Sequence, residues 1–245
     1  SHERREDNYQ ILADSCSEIG KLMVGAIQSA YPEHNIIEEN AGAIDNGGSF
    51  TWVINPIQGR NNFANGLPHF GILVGLLDDS GPLAGGVSLP LFGETYLAER
   101  WKGATCNGAR MVASGETQLS NALMSYVIEG HPDDTGFTDR EMPIIRDIIL
   151  HTGNLRTSNS AFDTMQVAKG SYSAIMNQTS RTRDNVAPHI ILVESGCIYT
   201  DFWGRPIDYT KPLTRLESNF SYCSAPAALH TALQTLIQEY ATTLK

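Results

Sequence analysis

The chain has 245 residues, 41% hydrophobic and 18% charged, with a formal net charge of −10 and a pI of about 5.1. That length supports one large core or two packed subdomains, and an acidic balance without basic runs argues against a nucleic-acid partner, which needs a positive footprint. Cys16, Cys106, Cys197 and Cys223 are scattered with no CxxC spacing, against a zinc module or disulfide framework, and neither a stretch of about 18 apolar residues nor a signal-peptide pattern is present, so a cytoplasmic protein off the membrane is expected.

In chain order, residues 1 to 9 are strongly polar and read as a frayed lead-in. Leu12, Ile19, Leu22, Met23, Ala26, Ile27 and Ala30 recur at helical spacing, and Tyr31-Pro32 ends that helix. Asn35-Ile-Ile-Glu-Glu39 is a short strand delivering two carboxylates to its end, followed by a loop over residues 40 to 50. Phe70 to Leu77, Leu83 to Pro90 and Glu94 to Glu99 are strand-like runs separated by Asp78-Asp-Ser-Gly-Pro82 and Phe92-Gly93, which predicts an antiparallel meander. Thr105-Cys-Asn-Gly108 is another turn, and Met124 to Ile128 a strand.

Thr138-x-x-Glu141 and Ser160-x-x-Asp163 fit capping boxes, each opening a helix. Tyr172 to Met176 reads as a strand, and Asp184 to Gly196 as a helix with Pro188 in its first turn or so, where proline costs least. Strands at Ile198 to Phe202 and Phe220 to Cys223 precede a last helix capped by Ser224. One helix, a cluster of strands, then alternating helices and strands is a layered α+β order.

The chemistry concentrates in Trp52-Val-Ile-Asn-Pro-Ile-Gln-Gly-Arg-Asn-Asn-Phe63, where an apolar strand runs into a turn carrying Asn55, Gln58, Gly59, Arg60, Asn61 and Asn62. Polar side chains at the end of a buried strand are where α/β proteins tend to place their sites. Asn61 and Asn62 read equally as ligand contacts or turn formers. Glu38 and Glu39, adjacent on a strand, face opposite ways, so at most one enters such a site.

The stretch resembles the Asp-Pro-x-Asp-Gly-Thr turn of the inositol monophosphatase family. Ile37-Glu38-Glu39-Asn40 stands where that family has Gly-Glu-Glu-Ser, and Gly66-x-Pro68-x-Phe70 follows the turn as in the family. Gly103-Ala-x-Cys106-Asn107-Gly108 is similar to a family turn. Arg156 and Ser160-Ala161 are similar to a substrate-side segment, and Asp184 with Glu194-Ser-Gly196 to a late Trp-Asp…Glu-Ala-Gly motif. The resemblance implies a layered α-β-α-β-α sandwich of the inositol monophosphatase and fructose-1,6-bisphosphatase type, its first helix largely missing here. The expected division is an amino-terminal α+β subdomain over residues 1–135 and a carboxy-terminal α/β subdomain over 136–245, in one compact unit.

It also implies Mg²⁺-dependent phosphatase chemistry, a homodimer, and metal ions held by a Glu, two signature Asp residues, a backbone carbonyl and the late Asp. The chain keeps Glu38, the Ile57 carbonyl position and Asp184 as residual metal candidates. The two signature Asp positions are Asn55 and Gln58, the Thr is Arg60, the Trp before the late Asp is Arg183, and a substrate-holding Glu is Asn177. Mg²⁺ prefers charged oxygens, and two-metal hydrolysis clusters carboxylates to hold both ions. Here two carboxylates become neutral amides while two guanidinium groups arrive. The expectation is therefore a cleft with no metal cofactor, in which Asn55, Gln58, Gly59, Arg60, Asn61, Arg156, Ser160 and Arg183 bind a small anionic metabolite, phosphorylated or carboxylated. Glu38 and Asp184 would be its acid and base. The competing readings are drift of an unused site with Asp184 a plain helix cap, an Mg²⁺-dependent phosphomonoesterase of inositol or sugar phosphates, and a non-catalytic regulatory protein.

Overall fold

Helix α1 (His2–Ala30) opens the chain. The computed structural model describes residues 2–243, with side chains for 6–242. The lead-in expected to fray is therefore helical from His2 on. Only one face of the helix is covered, which is compatible with so polar a sequence. Leu12 and Cys16 are buried, and so is Gly20, at steps of four residues. Leu22, expected in the stripe, is 74% exposed.

Next come β1 (Asn35–Glu38), β2 (Gly42–Ile44) and β3 (Thr51–Gln58); β2 lies inside the stretch read as a loop. The short helix α2 (Arg60–Ala64) follows, then β4 (Gly71–Asp78), β5 (Gly81–Leu89), β6 (Glu94–Glu99), β7 (Gly103–Cys106) and β8 (Ala109–Arg110). These strands form one sheet in the order β2-β1-β3-β4-β5-β6-β7-β8, antiparallel except for β1 on β3, and the meander stands where its turn residues put it.

The remaining elements are β9 (Leu123–Tyr126), α3 (Thr135–His151), β10 (Asn154–Arg156), α4 (Ala161–Ala168), β11 (Ala174–Ser180), α5 (Thr182–Ser195), β12 (Ile198–Thr200), β13 (Phe220–Ala225) and α6 (Ala227–Thr243). Their strands make a second sheet, β10-β9-β11-β13-β12. Strand β9, on the amino-terminal side of the expected boundary at 135/136, pairs with β10 and β11 in this sheet.

Three capping expectations change. Asp134, not Thr138, caps α3, its Oδ1 accepting from the Phe137 N–H at 3.0 Å. Ser160 does cap α4, but Asp163 accepts from the Ser158 N–H at 2.7 Å instead of closing a box. Ser224 lies inside β13, and α6 starts beyond Pro226.

The layers run α1 and α2, first sheet, α4 and α5, second sheet, α3 and α6. One apolar cluster joins Leu73, Val87, Tyr96 and Met165 to Ile191 and Tyr222 between the sheets, and another packs Met124, Ile148, Phe202 and Leu233 under α3 and α6. Among the described residues no helix is long and apolar enough to cross a membrane.

Helix α5 lies deepest, and the first sheet makes room for it with a glycine pair. Gly75 and Gly85 face each other across β4 and β5. A Cβ on Gly75 would stand 2.5 Å from Val186 Cγ1, and one on Gly85 would stand 2.8 Å from the Ala187 Cα and carbonyl oxygen. Pro188 falls in the second turn of α5, where it removes the N–H that would bond the Asp184 carbonyl.

His189 on the same helix stacks on Tyr199 at 4.2 Å and meets the Tyr209 hydroxyl through Nδ1 at 3.0 Å. Burial holds its pKa down to about 4, from an ordinary 6.5. Between those values the unfolded chain binds the proton that the folded chain refuses. The stability His189 contributes is thus present above about 6.5 and lost as the pH falls toward 4. The melting temperature of a His189→Gln variant should fall less than that of the native protein over this range, measured by calorimetry; parallel slopes would remove His189 as a cause.

Candidate functional site

Strand β3 loses register with β4 between the pairs Asn55–Leu73 and Gln58–Gly71. The slip spans Pro56, which has no N–H to give the ladder. An odd spacing would normally send residues 55 and 58 to opposite faces. The bulge turns both toward the α4 and α5 layer, while Ile57 joins Leu12, Cys16 and Ala64 on the α1 side. Gly59 then reverses the chain at φ +88; a Cβ there would sit 2.7 Å from the His69 carbonyl oxygen and 3.0 Å from Ser160 Cβ. Only glycine takes that backbone at that distance.

Asn55 and Gln58 find partners in the α4 and α5 layer, and Arg60 finds one at the end of β1. Asn55 Nδ2 donates to Asp184 Oδ1 at 2.8 Å, leaving Asn55 Oδ1 buried without a hydrogen bond. Gln58 Oε1 accepts from the Ala161 N–H, in the first turn of α4. Arg60, heading α2, and Arg183, in the first turn of α5, converge on the Glu39 carboxylate. Arg60 Nη2 meets Oε2, and Arg183 Nη2 stands 3.5 Å from Oε1. Glu217 bridges Arg183 and Arg181 from the rim at 3.5 and 3.4 Å. Asp184 is not an N-cap: it sits at the third helical position, and its Oδ2 accepts from the Arg181 N–H at 2.9 Å.

The Glu pair obeys strand alternation, with the opposite assignment to the one expected. Glu38 faces α1, where a Cβ on Gly20 would come within 2.8 Å of its Oε1. It is 2% exposed, and its Oε2 accepts from the Asn40 and Ala41 N–H groups at 2.9 and 2.8 Å. Expected as a catalytic group and kept as a residual metal candidate, Glu38 instead fixes the turn after β1, and Glu39 faces the arginines.

These residues border a cleft of about 1300 Å³ between the sheets, lined by Asn55, Ile57, Gln58, Gly59, Arg60, Asn61, Arg156, Ser160, Arg183 and Asp184. Asn61 accepts from the Tyr9 hydroxyl at 3.3 Å. Arg156 is exposed and tied to its own strand, through Asn154 Oδ1 and the Leu155 carbonyl. Ser160, 3% exposed, shares a hydrogen bond of 2.9 Å with Ser158 Oγ.

The wall also holds Asn62, His69, Glu129, Asp163 and Arg181. Asn62, readable from sequence as ligand contact or turn former, is a turn former: its Nδ2 donates to the His69 and Ser158 carbonyls at 2.7 Å each, tying the turn to the loop before α4. Glu129 was missed, although a strand predicted to end at Ile128 was the available signal.

Three wall carboxyls are pushed above their ordinary range. Burial raises Asp184 against the pull of the Arg181 N–H, Arg183, Asn55 and Arg60. Glu129 is raised by burial and then by the charge of Asp184, and Asp163 by burial. Carboxyls held this way keep a proton to higher pH than exposed ones and are suited to exchanging it. For a cation the offer is small: among the described residues no group of three or more His, Cys, Asp or Glu side chains is arranged to hold a metal ion.

Comparison with known proteins agrees with this architecture. The sequence profile of the inositol monophosphatase family matches residues 1–241. A protein of Aquifex aeolicus named fructose-1,6-bisphosphatase/inositol-1-monophosphatase is 29% identical over 206 residues, covering 81% of this chain and 74% of the relative. The Nus factor SuhB of Pseudomonas aeruginosa is 30% identical over 208 residues, covering 83% and 76%. The solved inositol monophosphatase from Anabaena superposes with a TM-score of 0.80 at 23% identity, over 97% of this chain and 93% of its own. With the bulged turn, the five layers and the profile match in agreement, the chain belongs to the inositol monophosphatase family.

Proposed function

We propose that the cleft binds a phosphorylated or carboxylated small metabolite through fixed side-chain charge, without the paired Mg²⁺ ions that membership of the family implies. The protein then acts as a pseudophosphatase or as an enzyme of other chemistry. The observation that carries this reading is the convergence of Arg60 and Arg183, from two different helices, on a single carboxylate. Guanidinium groups so aimed suit an oxyanion of phosphate or carboxylate geometry.

The oxygen donors support the same reading. Mg²⁺ is bound through charged carboxylates in octahedral geometry. Asn55 turns its amide nitrogen toward Asp184, Gln58 spends its carbonyl on the Ala161 N–H, and Glu38 faces the other layer. Asp184 alone of the residual candidates offers a carboxylate to the cleft, a poor fit to two hard cations. If proton transfer takes place here, Asp184 and Glu129 are the carboxyls suited to it.

Thermal-shift and calorimetric titration with inorganic phosphate and sugar phosphates, in EDTA, tests the reading. A ligand at about 100 times its dissociation constant should stabilise the native protein by about 2.7 kcal/mol. The double substitution Arg60→Ala with Arg183→Ala should weaken that binding by about 100-fold or more. Equal binding by both proteins would assign the arginines to the surface and end the proposal. A phosphomonoesterase reading is favoured by the name of the Aquifex relative; phosphate release that requires Mg²⁺ and stops with chelator would select it.

A further inference from the structure

We infer that Glu39 is a built-in competitor for the anion this cleft takes: its carboxylate occupies the clamp between Arg60 and Arg183, and a guest oxyanion has to displace it from at least one of them. The inference rests on the anion-binding reading above and concerns the regulation of that same site.

The two carboxylates at the end of β1 are held in contrasting ways. Glu38 is buried and bonded to two backbone N–H groups of the turn that follows it. It locks the backbone from which Glu39 projects. The Glu39 side chain, 26% exposed, has only guanidinium partners among the described contacts: Arg60 on one oxygen and Arg183 at 3.5 Å from the other. It can therefore leave the clamp by rotating its own bonds, with the turn behind it fixed. Arg183 keeps a second carboxylate, Glu217, at 3.5 Å when Glu39 departs, so Arg60 is the guanidinium that becomes free.

A carboxylate in this position presents the same two oxygens that a metabolite's carboxylate or phosphate would present. It also cancels one of the two positive charges facing the guest. Were Glu39 only an orienting strut, its removal would loosen the arginines and weaken anion binding. As a competitor, its removal strengthens binding. The two roles thus differ in the sign of one measurement.

The experiment is calorimetric titration of inorganic phosphate, with EDTA present, into the native protein, Glu39→Gln and Glu39→Ala. Gln keeps the shape and removes the charge; Ala removes both and guards against one variant failing to fold. Both should bind phosphate about tenfold more tightly than the native protein, the scale expected when one opposing charge a few ångströms away is removed. Placed on Arg60→Ala, the Glu39→Gln change should bring no gain, because the clamp it unblocks is already broken. Phosphate binding that is present in the native protein and unchanged or weaker in both Glu39 variants overturns the inference alone. Binding absent from every protein tested overturns the anion-binding reading and this inference with it.

Discussion

Replacing Gly85 by valine is expected to unseat α5, destabilising the fold by roughly 3 kcal/mol and lowering the melting temperature by about 6–12 °C for a chain of this size. The reason is contact with main chain. A Cβ at position 85 would stand 2.8 Å from the Cα and carbonyl oxygen of Ala187, and neither can rotate away. Gly75, opposite in register, closes the other side of the same groove. The functional effect should exceed that of an ordinary core defect, because Arg183 and Asp184 sit in the first turn of the displaced helix. Anion binding should therefore fall along with stability. Gly86→Ala is the control: its Cβ would face the outer side of the sheet, 3.2 Å from the movable end of Leu97 and 3.4 Å from Val74 Cγ1. A Gly85→Val protein that melts with the native one would show that the groove is not what positions α5.

Asn55→Asp should convert a stabilising contact into a repulsive one. The native amide donates to Asp184 at 2.8 Å. An aspartate there would set two carboxylates against each other in a partly buried place. With chelator present the loss should be about 2–4 kcal/mol while both carboxyls are ionised, and smaller at lower pH, where the pair can share one proton. Mg²⁺ should reverse it, since the pair now offers two charged oxygens to a hard cation. The variant should therefore gain a Mg²⁺-dependent rise in melting temperature that the native protein lacks. Adding Gln58→Asp extends the acidic set but removes the acceptor of the Ala161 N–H, at a cost of about 1 kcal/mol. Differential scanning fluorimetry with EDTA and with Mg²⁺ decides. The same Mg²⁺-dependent rise in the native protein would contradict the reading of Asn55 as a substitute for a metal ligand.

Much of this architecture was readable from local chemistry. The turn residues at 78–82 and 92–93 separate the strands of the meander, and Ser160 caps its helix, because both depend on neighbours in sequence. What depends on the third dimension was less legible. Alternation states that at most one of Glu38 and Glu39 enters the site; which one meets the arginines follows from the face that β1 turns to α1, fixed by tertiary packing. Leu22 fits the helical period, yet only the Leu12 and Cys16 side of α1 meets the sheet. The bulge at Pro56 placed Asn55 and Gln58 on one side, contrary to a plain strand reading. A plain N-cap stays open as one reading of Asp184 from sequence because the helix begins at Thr182, earlier than its apolar stripe shows. Glu129 enters the wall only because β9 joins the second sheet.

That placement of β9 has a consequence for the molecule as a whole. The strand precedes α3 in the chain yet separates β10 from β11, its neighbours on either side, which come after α3. A break in the connection at α3 would leave the carboxy-terminal piece with a gap between two strands and the amino-terminal piece with an orphan ribbon. Neither piece is a module that could be lent to another protein. The cleft is walled by both pieces, and four residues of the amino-terminal one, Leu123–Tyr126, hold β10 and β11 together.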